Sequence, residues 1–290
     1  MRHGKWTPWL FLAPAVLGLI IFRVGPAIGA AAASFTQWNI RTAPNWVGLE
    51  NYRELLVSDT FWLVLRNTVI FTVLFVPGVM VISFLLAMAV NQRLKGVRFL
   101  RGALFVPYIT TMVAVALLWN WIFSTRFGVL NGLLQAMGVS DPPAWLADSP
   151  WALLALVIVA VWKQVGFQMM LFLAALQAVP EELYDAAAVD GAKRYQQTWR
   201  ITLPLIRPAT FFIFIITFIE AFKTFEVTYV MTGGGPLNTS NTLAFFIYEN
   251  AFTVGRMGYA SSLAMILAVL VGGLTLLSFK VKQRWVQYDL

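Results

Sequence analysis

The 290-residue chain has no cysteine and a single histidine, His3, which removes disulfides, thiol nucleophiles and Cys/His metal sites from consideration. Charge is scarce: 12% of residues are charged and 59% hydrophobic, against roughly a quarter and a half in ordinary soluble domains. A water-soluble globule does not have that balance. No G-x-x-x-x-G-K-S/T run occurs, so the chain cannot cradle nucleotide phosphates in a loop of that kind. Segments of about ten residues alternating apolar and polar, the mark of a membrane barrel, are also missing. The formal charge of +8 is not gathered into one basic stripe, which argues against a nucleic-acid partner.

What is present is a set of apolar runs, with a mean hydropathy of +0.73. Six lie near the roughly 20 residues that a helix needs to cross the hydrocarbon: Trp9–Ala33, Asn67–Val90, Gly102–Phe123, Trp151–Leu176, Pro208–Tyr229 and Tyr259–Phe279. Helices are expected for all six, because lipid leaves no other way to satisfy the backbone once a barrel is excluded. The first run is too long for a signal peptide and is expected to stay in place. The expected fold class is all-α: a polytopic membrane protein, residues 1–290 forming one transmembrane domain, with too little chain left over for a separate soluble catalytic domain.

Lys and Arg set the orientation. With the N-terminus inside, the inner segments hold Arg2 and Lys5; Arg93, Lys95, Arg98 and Arg101; Lys193, Arg194, Arg200 and Arg207; and Lys280, Lys282 and Arg284. The outer segments hold only Arg41, Arg53, Arg66, Arg126 and Arg256. Both termini are therefore expected in the cytoplasm. Trp6, Trp9, Trp38, Trp62, Trp145, Trp151 and Trp285 fall near the ends of the runs, where an amphipathic indole is favoured.

The longest inner loop opens Ala178-Val179-Pro180-Glu181-Glu182, a helix start with proline in the first turn and acids that complement the helix dipole. Small residues continue it to Val189, and Asp190-Gly191 is a turn. A second short helix is expected from Ala192 to about Ile201, ended by Thr202-Leu203-Pro204. Asp185-Ala186-Ala187-Ala188-Val189-Asp190-Gly191-Ala192, with Ile201-Thr202-Leu203-Pro204 after it, resembles the EAA motif of ABC importer permeases. In that family the motif forms the coupling helix that docks on the ATP-binding subunit. The resemblance implies docking through Asp185, Ala186, Ala187, Asp190, Gly191, Leu203 and Pro204, within a coupling loop over residues 180–204. Asp185 stands where the family usually has Glu.

The resemblance extends from about Trp6 to Trp285 and narrows to carbohydrate-uptake permeases of the maltose and glycerol-phosphate type. Trp46-Val47-Gly48-Leu49-Glu50-Asn51-Tyr52 looks like their outer amphipathic segment, and Arg101-Gly102-Ala103-Leu104-Phe105-Val106-Pro107 like the start of a core helix. Thr232-Gly233-Gly234-Gly235-Pro236, followed by Asn241-Thr242-Leu243, resembles an outer loop of the first of their two permease subunits. The family implies a second permease subunit, two ATP-binding subunits that hold the ATP, an extracytoplasmic solute-binding protein, a bacterial inner-membrane location in contact with lipid, and no cofactor or metal in this chain.

Ionisable groups inside spans are costly and mark candidate sites. Lys163, Phe167 and Met170 share one helix face, as do Glu220, Lys223 and Thr224. In the maltose-type permeases the substrate-contacting positions lie on these two helices. The resemblance places them on Lys163, Gln164, Phe167, Thr217, Glu220, Ala221 and Thr224, a set able to hold sugar hydroxyls through hydrogen bonds and one aromatic plate. A structural role, in which Lys163, Glu220 and Lys223 neutralise one another, is the alternative. Arg23 departs from the family, whose residue near the Pro26 turn is usually uncharged. The functional reading is half of the translocation path of an ATP-driven importer for a sugar or oligosaccharide. An anionic polyol such as glycerol phosphate is the alternative substrate. A polytopic membrane enzyme is the alternative class, although no catalytic constellation is present.

Overall fold

The computed structural model describes residues 7–92 and 95–285 and is helical apart from one short two-stranded ribbon. Arg2, Lys5, Trp6 and Arg93 lie outside the described residues, as do the side chains of Lys282, Arg284 and Trp285. In chain order, α1 (Thr7–Leu19) passes through a π-helical turn (Ile20–Val24) into α2 (Gly25–Ala33). Strands β1 (Thr36–Gln37) and β2 (Asn45–Trp46) pair antiparallel, with Thr36 opposite Trp46. There follow α3 (Glu50–Val57), α4 (Asp59–Val90), α5 (Val97–Ile109), α6 (Met112–Ile122), α7 (Val129–Ala136) and α8 (Trp151–Gln177). Next come α9 (Glu181–Val189), α10 (Arg194–Gln197), a π-helical turn (Thr198–Thr202) and α11 (Leu203–Leu205). The chain closes with α12 (Arg207–Phe222), α13 (Glu226–Met231), α14 (Leu243–Tyr248), a third π-helical turn (Glu249–Thr253) and α15 (Met257–Trp285).

Four helical stretches are long and apolar enough to cross a membrane unbroken: Phe11–Ala33, Asp59–Val90, Trp151–Gln177 and Met257–Lys280. Two bent pairs pass the same test only when taken together, Val97–Ile109 with Met112–Ile122 at 97° and Arg194–Leu205 with Arg207–Met231 at 71°, so the number ranges from four to six according to whether each pair is one span. This corrects the unbroken helix expected over Gly102–Phe123. The run expected over Pro208–Tyr229 likewise stops at Phe222 and restarts at Glu226. The second span begins at Asp59 rather than Asn67, because the Ser58 hydroxyl accepts from the Phe61 N–H at 3.3 Å and caps the helix start. In the loop after the Trp151–Gln177 helix the second helix starts at Arg194, not Ala192, and helical turns continue through Leu203 and Pro204 rather than ending there. In the first span, Pro26 has no N–H to give, and the Gly25 N–H reaches back to the Ile20 carbonyl, widening the helix around Arg23.

The chain packs as two units. One gathers residues 7–61 with Phe246–Val269. Within it the Asn51 amide donates to the Ser34 and Thr36 carbonyls at 2.9 Å each, and the Tyr52 hydroxyl to the Ser34 hydroxyl at 2.7 Å. Arg256 forms a two-pronged ion pair with Glu54, its Nη1 at 2.8 Å from Oε1, and lies 4.3 Å over the Tyr259 ring. Hydrogen bonding to that carboxylate raises the Arg256 pKa above its usual value.

The other unit, Trp62–Phe245 with residues 270–285, is organised around α8. One end of α8 packs Leu153, Leu156 and Val159 against Phe71, Phe75, Val115 and Phe123. Its other end packs Met169, Phe172 and Leu176 against Ala87, Ile206 and Ile213. Between these clusters α5 crosses α8 so closely that a Cβ on Gly166 would run into the Leu104 carbonyl oxygen. Gly166→Ala is expected to lower stability by about 1–3 kcal/mol, since backbone and not a flexible side chain must give way. Thermal unfolding of the purified chain checks this, and an unchanged midpoint would contradict the packing.

Candidate substrate cavity and docking loop

The loop over residues 180–204, expected from the sequence to dock an ATP-binding subunit, is built from short-range rules. α9 ends in a Schellman motif: the Ala192 N–H donates to the Ala187 carbonyl at 2.9 Å and the Gly191 N–H to the Ala188 carbonyl at 3.0 Å. Gly191 takes φ +78°, a left-handed angle that an L side chain resists. The Gln196 side-chain oxygen accepts from the Lys193 N–H at 2.7 Å and starts α10. The Tyr184 and Thr202 hydroxyls lie 2.9 Å apart and tie α9 to the second π-helical turn. Asp185, Ala186, Asp190 and Gly191 are exposed, and Ala187, Leu203 and Pro204 half-buried. Val189 is 89% exposed and Trp199 70%, so the loop presents apolar surface that this chain leaves uncovered.

The second feature is a cavity of about 380 Å³ walled by α8, α12 and α13. Lys163, Gln164, Glu220 and Thr224 line it, as the sequence reading expects. Lys223 and Glu226 line it too, with Phe75, Met112 and Phe225 among its apolar contributors. Two of the expected residues, Thr217 and Ala221, are buried and do not line the cavity. Thr217 faces α8, where its hydroxyl donates to the Ile213 carbonyl at 2.7 Å and accepts from the Gln168 amide at 3.3 Å. Phe167 is also not on the wall; it stacks on Tyr108 with ring centres 4.6 Å apart and planes 11° from parallel.

Both helix breaks border this cavity, and side chains from elsewhere satisfy their freed carbonyls. At the α5–α6 bend Thr110 and Thr111 are extended, with ψ 141° and 138°. The Lys163 ammonium donates to the Tyr108 carbonyl at 2.9 Å and the Thr110 carbonyl at 2.8 Å. At the α12–α13 break the Thr242 hydroxyl donates to the Thr224 carbonyl at 2.8 Å. Thr242 is held there because the Asn67 amide donates to the Asn238 carbonyl at 2.7 Å and the Leu243 N–H to the Thr68 hydroxyl at 2.9 Å. The stretch Asn238–Leu243, which follows the Gly-Gly-Gly-Pro run, thus braces the cavity wall. Irregular backbone at membrane depth is tolerated only where it is satisfied in this way or lines a polar cavity.

Of the alternative in which Lys163, Glu220 and Lys223 neutralise one another, the structure shows only the Glu220–Lys223 part. Glu220 pairs with Lys223 at 3.4 Å, one helical turn on, and both side chains are about half exposed or more. A pair so open contributes little stability. Among the described residues Lys163 makes no ion pair; two of its three donors are committed to carbonyls, and one remains. The apolar wall escaped the sequence reading because Phe75 and Met112 come from other helices and carry no local signal. Phe225 and Glu226 follow a break whose warning was the polar stretch Lys223-Thr224.

Comparison with known proteins gives these features a family. The family described as "Binding-protein-dependent transport system inner membrane component" matches residues 64–282. The probable ABC transporter permease protein YesP of Bacillus subtilis is 35% identical over 293 residues, covering 100% of this chain and 94% of that one. The sn-glycerol-3-phosphate transport system permease protein UgpA of Agrobacterium fabrum is 33% identical, covering 98% of this chain and 97% of its own length. The multiple sugar-binding transport system permease protein MsmF of Streptococcus mutans is 30% identical, with 97% of each chain covered. Among solved structures, a bacterial ABC transporter involved in the import of the acidic polysaccharide alginate superposes with a TM-score of 0.87 at 26% identity, covering 98% of this chain and 97% of that one. With its apolar helices, a family match over residues 64–282 and these relatives along its whole length, the chain belongs to the binding-protein-dependent transport family as an inner-membrane ABC transporter permease, a transport component and not an enzyme.

Proposed function

We propose that this chain, as one permease domain with both termini in the cytoplasm, forms half of the path by which an ATP-driven importer takes up a sugar or oligosaccharide. Its partners in this reading are a second permease subunit, two ATP-binding subunits, one of them docked on residues 180–204, and an extracytoplasmic solute-binding protein. The observation that carries the substrate class is the cavity wall, where donors and acceptors of both signs, Lys163, Gln164, Glu220, Lys223, Thr224 and Glu226, stand beside the Phe225 ring. Sugar hydroxyls both donate and accept, and their C–H faces pack on aromatic rings, so a mixed wall of no net formal charge suits them. The multiple-sugar permease among the relatives supports the reading by name.

One observation favours a second reading. Lys163 is held by neutral carbonyls and, among the described residues, makes no ion pair, so its ammonium would attract an anionic polyol such as glycerol phosphate. ATP-dependent uptake into vesicles carrying the complete importer, with neutral sugars and glycerol phosphate in competition, separates the two. Glu220→Ala is expected to lower uptake about tenfold, the loss of one or two hydrogen bonds, while assembly is spared because Glu220 is exposed. Thr217→Ala should instead lower stability and leave substrate preference unchanged. Normal uptake by Glu220→Ala would remove that residue from the path.

A further inference from the structure

A second cavity, of about 710 Å³, opens where the end of α4 and the start of α5 meet the end of α8 and the start of α9. It is nearly twice the size of the cavity described above and takes no part in the proposed path. Among the described residues its polar wall is Asn91, Gln92, Arg98, Arg101, Gln177 and Tyr184, with Glu181 as the one acid. Arg101 is fixed there: its Nε and Nη2 donate to the Val90 carbonyl, at 3.3 and 2.8 Å, capping the last turn of α4 and leaving Nη1 uncommitted. Arg98 stands one turn earlier on α5, on the same wall. Two guanidinium groups with neutral amides around them make a recognition surface for a phosphate oxyanion, since each planar fork can pair with two of its oxygens.

The residues between the two arginines indicate where such a phosphate comes from. Phe99 is 81% exposed and Leu100 51% exposed, so the turn that places arginines in the cavity also turns large apolar groups outward. A soluble anion has no use for that apolar edge; an amphiphile does. Basic pockets among membrane helices on one side of the bilayer are typical headgroup sites. We propose that this cavity binds a phosphate-ester anion, the headgroup of an anionic phospholipid whose acyl chains lie along Phe99 and Leu100. Arg98 supplies the exchangeable contact and Arg101 the fixed one. A lipid held there would brace α9, and with it the docking loop, against α4 and α5.

The test uses the full-length chain in detergent, loaded in parallel with phosphatidylglycerol, phosphatidylcholine and inorganic phosphate, and read by native mass spectrometry. Phosphatidylglycerol is expected to be retained at least tenfold over phosphatidylcholine. The preference should vanish in Arg98→Gln and partly return in Arg98→Lys, with elution volume unchanged in both. Phosphate adducts that displace phosphatidylglycerol and are lost in Arg98→Gln would keep the anion site but make the free ion its ligand. Equal retention of the two lipids without a phosphate adduct, or a preference that survives Arg98→Gln, would overturn the proposal.

Discussion

Replacing Lys163 with methionine is expected to abolish uptake and to lower the yield of assembled complex, a larger effect than any other single change in the cavity. The side chain does two things at once. It donates to the Tyr108 and Thr110 carbonyls, which the 97° bend between α5 and α6 strips of helical partners, and it brings a positive charge to the cavity wall. Methionine fills similar space but donates nothing, so both carbonyls lose their donor at about 1–3 kcal/mol each unless water replaces it. The bend is then no longer held, and Met112, which begins α6 and lines the cavity, is free to shift. Lys163→Arg keeps a donor and a charge and should retain part of the activity. The double replacement Lys163→Met with Glu220→Leu is not expected to rescue, because Glu220 pairs with Lys223 and not with Lys163. Full recovery in the double variant would mean that the two groups are a structural ion pair after all. Complex yield and ATP-dependent uptake, measured for the three variants, decide the matter.

The lysine also shows where sequence reasoning reaches and where it stops. Its place inside an apolar run made it conspicuous, because a charge there is costly and needs a reason. Its partners were not legible, since backbone carbonyls have no letter in a sequence. The bend that exposes them is a tertiary feature: Pro107 and the Thr110-Thr111 pair permit it, yet the same residues occur in straight helices braced by neighbours. Span positions were legible because hydropathy is additive along a run; the start of α4 was not, because Ser58 and Asp59 begin it within a polar stretch.

The site residues divide along the same line. Glu220 and Thr224 lie at i and i+4 and reach the cavity together. Thr217 lies at i−3 from Glu220 and would share that face on an isolated helix. Packing instead turns it toward Gln168, where a hydroxyl satisfies part of a buried amide. Ala221 offers only a methyl group, and burial claims it. The helical loop over residues 180–204 was legible in more detail because its structure rests on local signals: acids at the start of α9, alanines along it, and a glycine where the chain must turn left-handed.

That glycine carries the other large effect. Gly191→Val is expected to leave the chain in the membrane while cutting ATP-driven uptake by an order of magnitude or more. No heavy atom lies within 4 Å of where a Cβ would sit, so the residue is not small for want of space. Its φ of +78° is the constraint. An L-residue in the left-handed region costs roughly 1–2 kcal/mol, and a β-branched one is the worst case. The motif closed by the Ala192 and Gly191 N–H groups should then open, and the exposed end of α9, with Val189 at its tip, should lose its fixed direction. Asn, which tolerates this region, should do least harm, Ala more and Val most. A docking surface requires that order in uptake and in co-purification of the ATP-binding subunits, with uncoupled ATP hydrolysis where the complex survives. If all three variants transport equally well, residues 180–204 are a connecting loop and the docking assignment fails.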